Sequence, residues 1–181
     1  MIREYNQAII FLVKYVAIYL ALNTAYSYYV SHYLPEADPL TIIVTQHTEA
    51  LLSIFDPAVD YHIEPGGVNV PVTRAGDTVM MVYEGCNSVN VMIVFVAFII
   101  SFKGPAGLFL RYFVVGLLAV YAINLLRLMG LYAVALYFAA SFYFFHKFFF
   151  TGVIYLVVFL IWYFWVADIK RWKVQPGTTN A

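Results

Sequence analysis

The chain has 181 residues, 64% of them apolar and only 11% charged, with ten basic and ten acidic side chains and no formal net charge. Ordinary soluble domains are about 45 to 50% apolar and about 25% charged, so a surface built from this composition does not suit water. The balanced charge, with no dense basic stripe, excludes the footprint of a nucleic-acid binder, and the single cysteine, Cys86, excludes an internal disulfide framework and any multi-cysteine metal or iron–sulfur site.

A helix needs about 20 mainly apolar residues to cross a hydrocarbon core of about 30 Å. The first such run extends from about Ala8 to Tyr29. It exceeds the roughly 7 to 15 residue core of a signal peptide and lacks a clean small-x-small cleavage site, which reads as an uncleaved anchor. Lys14 lies near enough to its inner end to snorkel to the cytoplasmic face. From about residue 32 to 83 runs the only extended extramembrane segment. Within it, Thr41 to Phe55 carries Ile42, Ile43, Ala50, Leu51, Ile54 and Phe55, a pattern for an amphipathic helix lying on the outer leaflet and stopped by Asp56-Pro57. Val68 to Thr73 and Thr78 to Tyr83 then alternate around Arg74-Ala75-Gly76-Asp77, a hairpin signal. The second apolar run, Val89 to Phe102, is short and must borrow from Glu84 to Asn90 or sit beside a thinned bilayer. The third spans Gly107 to Leu126, with Arg111 near its inner end, and the fourth Phe148 to Ala167. Between them, Leu128 to Phe145 is a fifth, ambiguous stretch.

Basic residues are retained on the cytoplasmic side, and Arg3, the Lys103 turn and the Lys170, Arg171, Lys173 tail are the candidates for that face. Placing Lys103 and the tail both inside requires an even number of crossings between them, which the third and fourth spans already supply. Leu128 to Phe145 is then expected to be interfacial or re-entrant, with its backbone satisfied by protein. The resulting expectation is an all-α integral membrane protein of the cell inner membrane with about four transmembrane helices plus that segment. A small extracytoplasmic cap, amphipathic helix and β-hairpin, completes a single membrane domain over 1–181. Both termini are cytoplasmic, including a tail from about 168 to 181 whose polar end after Val174 is expected to be disordered.

Under this topology Cys86, Arg127 and His146 fall at the outer ends of the second, third and fourth spans, so three reactive groups share one depth. Ionisable residues at membrane depth are costly and usually face a bundle interior or a wet cavity. A thiolate is a nucleophile whose pKa a neighbouring cation lowers. An imidazole takes the thiol proton and returns it to a leaving amine, and a guanidinium forks onto a developing oxyanion. That is acyl transfer through a thioester, and it calls for no cofactor. Glu84 either sets local pKa values or stays solvated, and Asn124, three residues before Arg127, caps or bonds across helices. His32, His47 and His62 show no metal-ligand spacing with a cysteine, so no metal is expected. The competing reading is a non-enzymatic membrane subunit or assembly factor in which Arg127 is a snorkelling anchor and His146-Lys147 a boundary marker. A small transporter with a midplane site is disfavoured, because the interiors of the second and fourth spans hold no charged relay residue.

Glu84-Gly85-Cys86-Asn87-Ser88, then Asn124-Leu125-Leu126-Arg127, then His146, in that order in a small multispan chain, resembles the motif set of the exosortase and archaeosortase family. The likeness covers roughly Val72 to Trp165. Its compact length and Glu-Gly-Cys-Asn form look most like the exosortase F branch, whereas commoner exosortases carry Ala before the Cys and Ser-Gly after it. The resemblance implies Cys86 as nucleophile, Arg127 as polarising residue and His146 as proton carrier, with Glu84, Asn87 and Asn124 in support. It also implies a substrate class: secreted proteins bearing a C-terminal sorting signal of the PEP-CTERM type, comprising a short motif, a transmembrane helix and a basic tail. Such a protein would be cut at the outer leaflet and its acyl group passed to an acceptor, with membrane lipid as a further partner.

Overall fold

A computed structural model of the chain describes residues 2–102 and 104–174. Lys103, the side chains of Arg3 and Lys173, and the polar tail 175–181 lie outside the described residues. The elements are α1 (Ile2–Tyr33), α2 (Pro39–Leu52), β1 (Val59–Tyr61), β2 (Val70–Arg74), β3 (Asp77–Val82), α3 (Val89–Ser101), α4 (Ala106–Tyr137), α5 (Phe142–Phe144) and α6 (Phe150–Val174).

Three helical stretches have the length and apolar content to cross a membrane: Asn6–Tyr33, Ala106–Tyr137 and Ala139–Trp172. Their outward faces carry Ile9, Leu12 and Val13 on α1, Leu110, Val115 and Leu118 on α4, and Leu156, Phe159 and Tyr163 on α6, all exposed. An apolar belt of this extent has no place in water and is satisfied by lipid. The protein is a membrane protein. α3 has 13 residues, a rise of about 20 Å, which is less than the hydrocarbon thickness. Glu84 to Ser88 do not extend it, which leaves the alternative of a thinned bilayer. Ser88 adopts the left-handed conformation (φ 66°) and Glu84–Cys86 form a separate 3-10 turn.

The stretch from Leu128 to Phe145 is divided between the end of α4, a reversal and the start of the returning chain. Its first ten residues continue α4, because Leu128, Leu131, Tyr132 and Val134 keep the helical period on one buried face. At 32 residues, α4 is about 48 Å long, and its last turns outrun a bilayer core to pack against α2 and β3. The chain reverses at Phe138–Ser141 and returns through α5 and α6. His146 therefore follows one reversal, at the same end of the bundle as Arg127.

The expected hairpin is present as β2–β3, in register Val70↔Val82 and Arg74↔Asp77. Its turn residues Ala75 and Gly76 have positive φ. A third strand, β1, pairs antiparallel with β2; at three residues it is too short to show an alternation. α2 starts at Pro39 because the Asp38 side chain accepts from Leu40 N at 3.0 Å and Thr41 N at 3.1 Å, an N-cap with proline at the first position. Its buried face is Thr41, Val44, Thr45, Thr48 and Leu52. Ile43, Ile54 and Phe55, from the expected apolar face, point away from the protein. Arg74 Nε donates to Asp56 Oδ2 at 2.7 Å, and Tyr132 on α4 donates to the same oxygen at 3.3 Å, which ties the sheet to the top of α4.

Two cores result. One joins Val44, Val59, Val72, Met80 and Val82 to Leu128, Leu131 and Cys86; the other packs Phe95, Ile99, Val120, Val158, Trp165 and Ile169 between α3, α4 and α6. Gly116 makes the second possible, since a Cβ there would lie 2.1 Å from Phe95 Cζ.

Candidate active site

Cys86 ends the 3-10 turn that links the sheet to α3, and that turn is held from three sides. Asn87 Nδ2 donates to Tyr26 of α1 at 2.7 Å and to Thr41 of α2 at 3.1 Å, while its Oδ1 accepts from Val89 N at 3.0 Å. Asn87 is thus fully engaged in fixing the turn and opening α3. On α4, the i, i+3 spacing of Asn124 and Arg127 puts both on one face. Asn124 Nδ2 donates to the Cys86 carbonyl at 2.8 Å, and its Oδ1 faces Arg127 Nη1 at 3.5 Å. One amide therefore registers both the thiol turn and the guanidinium.

His146 arrives from the other side, on the π-helical segment Phe145–Phe149, with its carbonyl accepting from Thr151 Oγ1 at 3.1 Å. The extra residue per turn re-aims side chains relative to the helix that follows, and such π segments recur at functional sites. The imidazole sits between the rings of Phe142 and Tyr83. Its Nε2 lies 3.7 Å from Cys86 Sγ and 3.4 Å from Arg127 Nη2. An Arg N–H only donates, so Nε2 carries the lone pair and Nδ1 the proton.

A family model described as "Transmembrane exosortase" matches residues 4–165. The chain belongs to the transmembrane exosortase family. No curated protein and no solved structure matches it.

In this exosortase Cys86 is 2% exposed, Arg127 8% and Asn124 0%, so these three residues are withdrawn from solvent. Burial pushes the Cys86 thiol above its ordinary range; the Arg127 charge opposes that, followed by contacts from Tyr83. Arg127 thus acts on the thiol in the lowering direction, as a neighbouring cation does, but desolvation outweighs it in the resting protein. Arg127 Nε is buried with no hydrogen-bond partner. Leaving such a donor unpaired costs about 1 to 3 kcal/mol. The Arg127 residue lines a 330 Å³ recess together with His146, Lys147, Gly85 and Tyr155.

Of the residues singled out in the sequence, Cys86, Asn124, Arg127 and His146 come together, and Asn87 anchors their turn. Glu84 does not join them. It is exposed and lines a separate, larger recess beside α1. Sequence reasoning missed Tyr26, Thr41 and Tyr83. One tyrosine among 16 carries no individual signal. The Thr41, Thr45, Thr48 stripe did, since hydroxyls at helical spacing between apolar residues mark a packed face, and Thr45 and Thr48 both bond back to carbonyls four residues earlier at 2.8 Å.

Proposed function

We propose that this exosortase is a membrane-embedded cysteine peptidase and transpeptidase that cleaves C-terminal sorting signals of secreted proteins and passes the acyl group to an acceptor. The observation that carries the reading is His146 Nε2 placed 3.7 Å from Cys86 Sγ and 3.4 Å from Arg127 Nη2. A helix anchor would snorkel its guanidinium toward water, whereas Arg127 is buried, faces Asn124 and His146 through its two terminal nitrogens, and lines a recess. Compact length and the Glu-Gly-Cys-Asn form favour the F branch.

The arrangement suggests an order of events. In the resting state one imidazole lone pair faces both the thiol and the guanidinium, and burial keeps the thiol protonated. A substrate carbonyl entering the recess offers Arg127 a better acceptor, which frees Nε2 to take the thiol proton. The sulfur attacks the carbonyl carbon, and the guanidinium stabilises the oxyanion that forms. Collapse expels the amine of the downstream helix, which takes its proton from His146 and leaves a thioester on Cys86.

The substrate is a PEP-CTERM-like signal whose scissile bond arrives just beyond its own membrane helix, a depth that suits a centre at one end of the bundle. In this reading that end faces outward from the cell inner membrane, with both termini cytoplasmic. The test is processing of a cognate signal-bearing protein in cells expressing Cys86→Ala. Loss of the cleaved product is expected, and unchanged cleavage by a stably expressed variant defeats the proposal.

A further inference from the structure

The recess that Glu84 lines is not used by the acyl-transfer scheme. It encloses 730 Å³ between α1, the loop before α2, and the thiol turn, and its walls include Asn23, Tyr26, Ser27, Asn69, Glu36 and Glu84. Asn23, Ser27 and Ser31 fall on one face of α1 at four-residue steps. Nearer the start of the helix the same face carries Ile9, Val13 and Leu20, all exposed, so it turns from apolar to polar at Asn23. A polar stripe on a spanning helix is costly unless it meets protein or a wet cavity, and this one meets the recess.

Tyr83, Asn90 and Tyr155 line both this recess and the smaller one that holds Arg127 and His146. The two spaces are therefore neighbours, with the Tyr83 ring between them and Cys86 in the turn below. Gly85 is what admits that ring, because a Cβ there would lie 2.4 Å from Tyr83 Cε2. The two spaces differ in charge. Among the described residues, the smaller recess is lined by Arg127, His146 and Lys147 and by no carboxylate. The larger one is lined by Glu36, Asp38 and Glu84 and by no cation. Asp38 is committed to the α2 cap, which leaves Glu36 and Glu84 facing the space.

We propose that the larger recess is the acceptor site, and that it takes a molecule bearing a primary amine. This rests on the acyl-transfer reading above. The basic side suits the oxygens of the acyl donor, and the acidic side suits an ammonium, so donor and acceptor approach the thioester from opposite sides of Tyr83. The ammonium loses one proton to water past the exposed Glu84 carboxylate. The free amine attacks the thioester carbonyl, forming the C–N bond, and its second proton passes to His146. The C–S bond breaks, and the departing Cys86 thiolate takes that proton back. The products are an amide and the resting thiol, with one proton released.

The test uses the full-length protein in detergent, loaded at Cys86 by exchange with the thiophenyl thioester of N-acetylglycine and followed by intact mass. Discharge is measured with n-butylamine against water, and separately in vesicles of phosphatidylethanolamine against phosphatidylcholine, which tells a soluble amine from a lipid headgroup. Aminolysis is expected to saturate with amine in at least one of the two arms. The ratio of aminolysis to hydrolysis should fall about two- to fivefold in Glu84→Gln and in Glu36→Gln, the scale of an exposed ion pair. It should also fall in Asn23→Leu, whereas Glu64→Gln, outside the recess, should leave it unaltered. Aminolysis that stays linear in amine, with the same ratio in all four variants, overturns the acceptor site alone. Failure to load Cys86 at all overturns the catalytic reading and the acceptor site with it.

Discussion

Replacing Arg127 by methionine keeps most of the side-chain volume and removes the charge, so it isolates what the guanidinium does to the thiol. Cys86 Sγ and Arg127 Nη2 both lie against His146 Nε2, at 3.7 and 3.4 Å. The sulfur and the guanidinium are thus at most about 7 Å apart, and at an effective dielectric of ~20 a unit charge pair at that distance interacts by about 2 kcal/mol. That amounts to about 1.5 pH units on the thiol. The sign is fixed by the electrostatics. Burial already raises the thiol and Arg127 is the largest opposing influence, so Arg127→Met should move the thiol further up. Only the thiolate alkylates, so the rate at pH 8 should drop about 30-fold. The assay is iodoacetamide labelling of the full-length protein in detergent across pH 7 to 10, with denatured samples as the reference. Arg127→Lys, which retains a cation, should recover most of the rate. A midpoint that stays put or moves down in Arg127→Met would refute the electrostatic argument, whatever happens to activity.

Asn124→Leu removes the amide that holds both the Cys86 carbonyl and the guanidinium; substrate processing should fall on the order of a hundredfold, the cost of a 1 Å misplacement, while the helical circular dichroism stays unchanged. Gly116→Ala places a Cβ 2.1 Å from the Phe95 ring, and the overpacking should cost about 1 to 3 kcal/mol, read as a lower Tm in detergent. Asp56 is held below the usual carboxylate range, first by the Arg74 hydrogen bond. A depressed folded pKa contributes stability above the unfolded value, lost as pH falls through the folded one. The protection factors of the β1 amides, referred to intrinsic exchange at each pH, should therefore fall below about pH 4, and Arg74→Met should flatten that dependence; equal acid sensitivity in both proteins would discount the pair.

Membrane residence was legible because it depends on composition and run length, which neighbours do not alter. The hairpin was legible too, since Arg74-Ala75-Gly76-Asp77 supplies its own positive-φ turn between alternating flanks. The candidate centre was half legible. Cys86, Arg127 and His146 each stood out as a reactive group at the edge of an apolar run, and their order resembled a family pattern. Whether they met hung on Leu128 to Phe145, where an apolar run reads the same as the end of one helix, the start of the next, or a separate segment.

What the sequence determined by itself, then, were local and additive properties: a chain for lipid, a turn, and a set of chemically competent side chains. Tertiary structure alone decided that α4 runs through Tyr137, that a π segment aims His146 at Cys86, and that Asn124 bridges thiol turn and guanidinium. It also decided the thiol's state, because desolvation is a sum over every neighbour that excludes water. Glu84, two residues from the cysteine in sequence, lines a different recess for the same reason. Direction in space belongs to packing, and no residue type carries it.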